Sequence, residues 1–271
     1  IPLAGPANKQ GRIVADNICG IPSVYKGTLG AAIVKLFDMT VATAGLNEQS
    51  AQAANIPYDK VYGYAGSHAG YYPGATNLST KLLFDPSDGR LLGAQLVGFD
   101  GVDKRADVLS TAIRARMTVY DLAELELTYA PPFSSAKDPV NMLGFMAENV
   151  LTGKVGQFFW HDVDSLARDG GVTILDVRTP GEVADGAIEG SVRIPVDELR
   201  GRVGELDRKK PLYVHCQSGL RSYVACRMLS QLGFECKNLA GGYRLYAAVR
   251  QEAPPLSDPT APCGAPKGGA K

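Results

Sequence analysis

From residue 172 onward the sequence repeats one pattern, a short apolar run followed by a helical stretch. "VTILDV" (Val172–Val177), "SVRIP" (Ser191–Pro195), "PLYVHC" (Pro211–Cys216) and "ECKNLAGG" (Glu235–Gly242) are the runs. Strands that alternate with helices imply a parallel sheet with helices on both faces, a doubly wound α/β domain. In such a sheet ligands lie beyond the carboxyl ends of the strands. The residues that follow "LYVH" are therefore where chemistry is expected.

The first half of the chain is patterned differently. "QGRIVADNI" (Gln10–Ile18) has helical spacing, and Ile13 and Ile18 belong to its apolar stripe. "GAAIVKLFDMTVATAG" (Gly30–Gly45) is rich in β-branched residues and reads as strand. A short helix entered at Asn47 follows. "KVYGYAG" (Lys60–Gly66), "STKLLFD" (Ser79–Asp85) and "LLGAQLVG" (Leu91–Gly98) read as strands. The last two flank "PSDG", a hairpin turn with glycine where positive φ is needed. "DKRADVLSTAIRARM" (Asp103–Met117) and "DPVNMLGFMAENVL" (Asp138–Leu151) are amphipathic helices, the second with Pro139 in its first turn. Gly27–Leu151 is thus expected to be a sheet with helices on it.

At 271 residues the chain has room for about two domains. Lys plus Arg and Asp plus Glu are 28 each, so no net field draws it to nucleic acid or to an acidic membrane. No apolar stretch reaches membrane-spanning length. Five cysteines are scattered without paired spacing, which points to a reducing cytoplasm. With no CxxC and three distant histidines, a structural zinc site is not expected. The Pro/Gly/Ala-rich stretch 253–271, which contains Cys263, is expected to be disordered. The opening, without an initiator Met, suggests a fragment.

Cys216 sits at the end of the "LYVH" run, and Gln217, Ser218, Gly219 and Leu220 turn the chain into the helix "RSYVACRMLSQLG". A turn of this kind aims backbone N–H groups inward and adds the positive end of a helix dipole. Both stabilise a thiolate, so a depressed pKa is expected for Cys216. Arg221 adds a cation at the far end of the loop, and Gly219 permits tight curvature. A lone cysteine at a strand end is ordinarily a small buried hydrophobe. Here the strand, the small polar turn and the arginine-led helix coincide, which favours a nucleophile. Cys226 and Cys236 are expected to be core.

Val172–Val249 resembles a rhodanese domain. "ILDVRTPGEVADGAIEGSVRIPVDELRGRV" is similar to that family's first half, "VHCQSGLRS" to its active-site loop and "LAGGYRLY" to its closing strand and helix. The resemblance implies that Cys216 carries a sulfane sulfur as a persulfide and passes it to a thiol, using no cofactor. Cys216 to Arg221 inclusive is six residues, the loop size of sulfur transfer, whereas related phosphatases use a loop one residue longer. Ala187 departs from the family, many members of which carry histidine there. Asp176 and Arg178 are expected to brace the fold through an ion pair.

"IPLAGPANKQGRIVADNI", "GSHAGYYPGA" (Gly66–Ala75) and "LTYAPPFSSAKDPVNMLG" (Leu127–Gly144) together resemble the C-terminal third of a flavin-dependent pyridine nucleotide-disulfide reductase. Within that class they are most similar to the coenzyme A-disulfide reductases and NADH oxidases. The resemblance implies four segments: 1–26 as the end of an FAD-binding domain, 27–151 as an α+β dimerisation domain with a mixed or antiparallel sheet, 155–252 as the rhodanese domain and then the tail. It implies a homodimer in which Tyr71 (or its neighbour Tyr72) and Tyr129 point at the redox cysteine and coenzyme A of the other subunit. Lys9 and Arg12 would meet the phosphates of coenzyme A, and Leu3 and Ala4 would lie near the flavin. The ordinary alternatives are turn packing for Tyr71 and Tyr72, a core aromatic for Tyr129 and a solvated helix face for Lys9 and Arg12.

No glycine-rich βαβ fingerprint is present, so FAD, NAD(P)H and coenzyme A chemistry is expected only in a longer parent. The expected function is therefore a coenzyme A-disulfide, persulfide or polysulfide reductase whose rhodanese domain exchanges sulfur with small donors and thiol acceptors. The alternative of another class is a non-catalytic dimerisation and thiol- or partner-binding module.

Overall fold

The computed structural model describes residues 2–250. The expected tail and Cys263 lie outside the described residues.

The chain opens with helix α1 (Ala4–Ile18), none of whose residues is buried. Its apolar stripe lies open, with Val14 and Ile18 exposed. Strands β1 (Ala32–Leu36) and β2 (Met39–Gly45) follow as an antiparallel hairpin in the register Leu36↔Met39. The sequence reading of 30–45 as one strand is thus corrected: Phe37 and Asp38 form a two-residue turn, with Phe37 at φ 54°. The turn lacks the Asn or Gly that normally marks positive φ, so composition alone did not reveal it.

Helix α2 (Glu48–Ala53) starts at Asn47, whose side chain accepts from the Ser50 N–H while Ser50 Oγ accepts from the Asn47 N–H. This reciprocal capping satisfies donors that a helix start leaves open. Strands β3 (Asp59–Gly66), β4 (Asn77–Phe84) and β5 (Leu91–Gly98) complete a five-stranded antiparallel sheet in the order β1-β2-β5-β4-β3. The β4–β5 turn has Gly89 at φ 75°, as the "PSDG" stretch requires. Helices α3 (Val102–Arg114) and α5 (Pro139–Leu151) bury Leu109, Ala112, Val140 and Leu143 against Leu82, Ala94 and Leu96 of the sheet. The six-residue helix α4 (Val119–Glu124), capped by Thr118 and Asp121, was too short to read as a period in the sequence.

The second sheet is wholly parallel, in the order β6-β10-β9-β7-β8. Its strands are β6 (Gly156–Phe158), β7 (Thr173–Asp176), β8 (Val192–Arg193), β9 (Leu212–His215) and β10 (Cys236–Leu239). The helices between and beside them are α6 (Val163–Asp169), α7 (Pro180–Ala184), α8 (Val196–Arg202), α9 (Leu220–Gln231) and α10 (Gly242–Arg250). Alternate strand residues point to opposite faces. Leu175, Leu212 and Val214 pack with Leu199 of α8 and Ala225, Cys226 and Leu229 of α9. Ile174, Tyr213 and Leu239 pack with Val163 of α6 and Tyr243 and Tyr246 of α10. Helices therefore cover both faces, the α/β arrangement expected from the strand–helix alternation.

Candidate active site around Cys216

β9 is the central strand, and Cys216 is the first residue beyond its carboxyl end. The chain then turns through Gln217–Gly219 into α9, with Gly219 at φ 104° as the residue before the helix. That backbone is strained for any residue with a side chain. The turn brings the Gly219 N–H to 3.2 Å from Cys216 Sγ, and Ser222 Oγ to the same distance. The Ser222 hydroxyl has one proton, and the Gly219 carbonyl, also at 3.2 Å, is its other acceptor. When the sulfur is anionic it is the stronger acceptor. Sequence reasoning assigned Ser222 no role. The available signal was its place in the first turn of α9, where a side chain points back toward the helix start.

The loop is held from behind by the start of α10. The N–H groups of Tyr243 and Arg244 donate to the carbonyls of Cys216 and Gln217 at 2.8 and 3.0 Å. This approach needs glycine at 242: φ is +61°, and a Cβ would stand 2.7 Å from the Cys216 carbonyl oxygen. Asn238 on β10 adds a bond from Nδ2 to the Gly219 carbonyl at 3.1 Å. The "AGG" stretch is thus a close-approach element that fixes the shape of the cysteine loop.

Below the loop lies a buried polar group. Arg178 and Asp176 form an ion pair at 2.7 Å, with side chains 1% and 0% exposed. Arg178 also donates to the carbonyls of Glu182 and Gly186 and, at 3.4 Å, to Gln217 Oε1. Its guanidinium lies over the Tyr243 ring. The pair therefore ties β7, α7, the cysteine loop and α10 together. His215 is fully buried, 3.6 Å from Asp176, and neither ring nitrogen has a hydrogen-bond partner among the described residues. Burial pushes its pKa down to about 4, overriding the nearby Asp176 carboxylate, so the ring is neutral.

The cation of Arg221 is not free at the loop. Its guanidinium makes two bonds to the Glu182 carboxylate, at 2.8 and 2.5 Å. Arg221 holds the Glu182 carboxyl at about 2, well below the usual carboxylate range, and its own pKa is raised in turn. Cys216 itself is 0% exposed.

Ser218, Gly219 and Leu220 also border a cavity of about 180 Å³ shared with the first sheet and α5. Tyr64, Met142 and Phe145 line its opposite side. Contacts between the two halves include Gln157 Nε2 donating to the Lys60 carbonyl at 3.2 Å and the Arg244 guanidinium over the Tyr64 ring.

The expected residues of the first domain fall into two places. Tyr71 and Tyr129, 58 positions apart, meet with their hydroxyl oxygens 3.1 Å from each other, both exposed. Their loops are joined by buried Arg105, which donates to the Ser67 carbonyl, Ser134 Oγ and Asp138, and by Ala69 N–H to the Ser134 carbonyl. Tyr72 is apart from that pair, edge-on to His68. Leu3, Ala4 and Lys9 line an open cleft of about 580 Å³ with Tyr25, Thr28 and Arg114. Arg12 is exposed on α1 and does not line it. Cys226 is core as expected, whereas Cys236 is only half-buried, with Sγ 3.1 Å from Ser230 Oγ.

Among the described residues no cluster of three His, Cys, Asp or Glu side chains is arranged to hold a metal, and no helix is long and apolar enough to cross a membrane.

This fold and this site define a two-part protein. Residues 31–139 match the pyridine nucleotide-disulphide oxidoreductase dimerisation domain, and residues 160–248 match the rhodanese-like domain. The chain thus joins these two domains, and it is similar to the C-terminal portion of coenzyme A disulfide reductases fused to a rhodanese domain. It is 42% identical over 151 residues to the coenzyme A disulfide reductase of Staphylococcus haemolyticus, a match covering 55% of this chain and 34% of that protein. The chain thus spans about a third of the length of the curated relatives it matches. The reduced CoADR-RHD of Bacillus anthracis superposes with a TM-score of 0.89 at 54% identity, over 92% of this chain and 45% of that one. The NAD-dependent persulfide reductase of A. fulgidus gives 0.80 at 41%, over 91% and 44%.

Proposed function

We propose that this chain is the sulfur-handling and dimerisation portion of an FAD- and NAD(P)H-dependent reductase of coenzyme A disulfides, persulfides or polysulfides. Residues 27–151 form the dimer and 155–252 transfer sulfur. The observation that carries the reading is the loop geometry: a cysteine at the end of the central parallel strand, its Sγ 3.2 Å from both the Gly219 N–H and the Ser222 hydroxyl.

In the sulfur-transfer step the Cys216 thiolate attacks the outer sulfur of a donor. An S–S bond forms at Cys216, the bond to the rest of the donor breaks, and that remainder leaves with the electron pair. Gly219 N–H and Ser222 are placed to stabilise the Cys216 thiolate, before it attacks and again as the acceptor releases it, as donors do for a developing charge. An acceptor thiolate then attacks the terminal sulfur and frees Cys216. Small sulfane-sulfur donors and thiols such as coenzyme A are the substrates of this reading.

Tyr71 and Tyr129, linked through their hydroxyls, are proposed to face the redox cysteine and coenzyme A of the partner subunit, where a phenol can protonate a leaving thiol. The open apolar stripe of α1 and the exposed Ile33, Val34 and Leu36 of β1 support a larger assembly that covers them. The described residues contain no glycine-rich βαβ turn to cradle a pyrophosphate, so by themselves they do not fit FAD or NAD(P)H, and no step here runs through either. The cleft lined by Leu3, Ala4 and Lys9 supports a contact with such a group held mainly by other parts of the parent.

One observation favours a second reading. Complete burial of Cys216 suits a dimerisation module whose rhodanese fold binds thiols or partners without catalysis. Mass spectrometry after exposure to thiosulfate separates the two: sulfur transfer adds one sulfur, about 32 Da, at Cys216. No adduct with thiosulfate and none with the singly charged donor benzenethiosulfonate, or thiosulfate:cyanide transfer that survives Cys216→Ser, sinks the catalytic reading.

A further inference from the structure

Three arginines approach the cysteine loop, and each is already engaged. Arg178 is paired with Asp176 at 2.7 Å, Arg244 lies over the Tyr64 ring, and Arg221 is held by both oxygens of Glu182. Arg221 is the loop's own cation, and its side chain and that of Glu182 are 34% and 30% exposed. The pair therefore stands at the surface beside a buried sulfur. Glu182 is itself immobilised, because its carboxylate accepts from the N–H and Oγ of Thr179 at 3.0 and 2.9 Å in the cap of α7.

Arg221 is close enough to interact with the Cys216 sulfur, so the leaving part of a donor that delivers its outer sulfur there comes near this pair. With Arg221 neutralised, a dianionic leaving part gains little from the guanidinium and meets the carboxylate as a like charge. A leaving part of low charge is not penalised. We propose that Glu182 is a specificity-determining residue, which holds Arg221 away from leaving groups that carry their charge beside the transferred sulfur and tunes the Cys216 loop to organic persulfides, whose other charges are remote from that sulfur. This inference rests on the assignment of Cys216 as the sulfur acceptor.

Thiosulfate and benzenethiosulfonate test it. Both transfer an outer sulfur to a thiolate by breaking one S–S bond, releasing sulfite and benzenesulfinate respectively, and they differ by one negative charge. Glu182→Gln removes the charge and keeps the α7 cap, since glutamine serves the same capping position. The expected result is a rise of about tenfold in kcat/KM for thiosulfate, carried mainly by KM, with a clearly smaller rise for benzenethiosulfonate. The gain shrinks at high salt, because both charges are partly exposed. Glu182→Asp keeps the charge and leaves the ratio between the donors near that of the parent sequence. A ratio that Glu182→Gln does not change, or a parallel fall for both donors, overturns the inference. If Glu182→Gln does not fold, Glu182→Asp decides: a ratio moved by a charge-preserving change equally overturns it. The Cys216 assignment is judged separately, by the sulfur adduct on the unmutated chain. Absence of that adduct with both donors overturns the assignment and the inference with it.

Discussion

Ser222 Oγ lies 3.2 Å from Cys216 Sγ, and both residues are fully buried. A hydroxyl in that position offers the sulfur a donor in addition to the Gly219 N–H. Ser222→Ala is therefore expected to slow thiosulfate:cyanide transfer about ten- to a hundredfold, the usual loss when one donor to a developing anion is removed. The urea midpoint should move little by comparison. An unchanged rate removes Ser222 from the site.

Gly242 is where α10 closes on the loop. A methyl group there meets the Cys216 carbonyl oxygen at 2.7 Å and the Gln217 carbonyl carbon at 2.8 Å, on a backbone already at φ +61°. Gly242→Ala is expected to destabilise the rhodanese domain by about 2–4 kcal/mol through strain and displaced loop contacts. Urea unfolding measures that cost. Wild-type stability in this variant means that α10 does not clamp the loop.

His215 predicts an acid sensitivity with a defined window. Its folded pKa, near 4, lies below the 6.5 of an ordinary imidazole, so between those values the unfolded state binds the extra proton. Its contribution is whole above about pH 6.5, declines as pH falls and is fully lost below about pH 4, a total near 3 kcal/mol at most. Glu48 and Glu182, both lowered to about 2, act in a separate window, losing their contribution as pH falls from 4.5 through 2. Denaturation midpoints between pH 7 and 4 should flatten in His215→Phe. An unaltered slope places the titration on another group.

The hydrogen bond between Tyr71 and Tyr129 raises the pKa of Tyr129 above its ordinary value of 10. Ultraviolet titration should show a tyrosine that ionises late, and Tyr71→Phe should return it toward ordinary behaviour. The two phenylalanine variants share one bond, so under the proposed reductase function their effects on turnover should be less than additive. Independent effects argue that the two hydroxyls do not work as a unit.

The parts that were legible in the sequence depend on neighbours along the chain. The runs before Val177 and Cys216, the cap at Asn47 and the glycine of "PSDG" each carry their signal within a few residues. The hairpin at Phe37 and Asp38 was missed because its turn residues are atypical. The helix Val119–Glu124 and the strand Gly156–Phe158 were missed because neither is long enough to show a period. Arg221 was legible as a cation, yet the carboxylate that neutralises it is 39 positions away, in the cap of a short helix that the sequence did not reveal.

By itself, the sequence determined that a parallel α/β unit follows a differently patterned sheet with helices on it, and that Cys216 stands at a strand end before an arginine-led helix. Hydrophobic periodicity and turn chemistry are local, and local signals survive in one dimension. Only the tertiary structure decided that Arg221 is paired with Glu182, that Tyr71 meets Tyr129, and that Cys216 is buried in a loop clamped through its carbonyls by the start of α10. Those relations follow from strand order and helix docking, which bring side chains together across dozens of residues and leave no period in the chain.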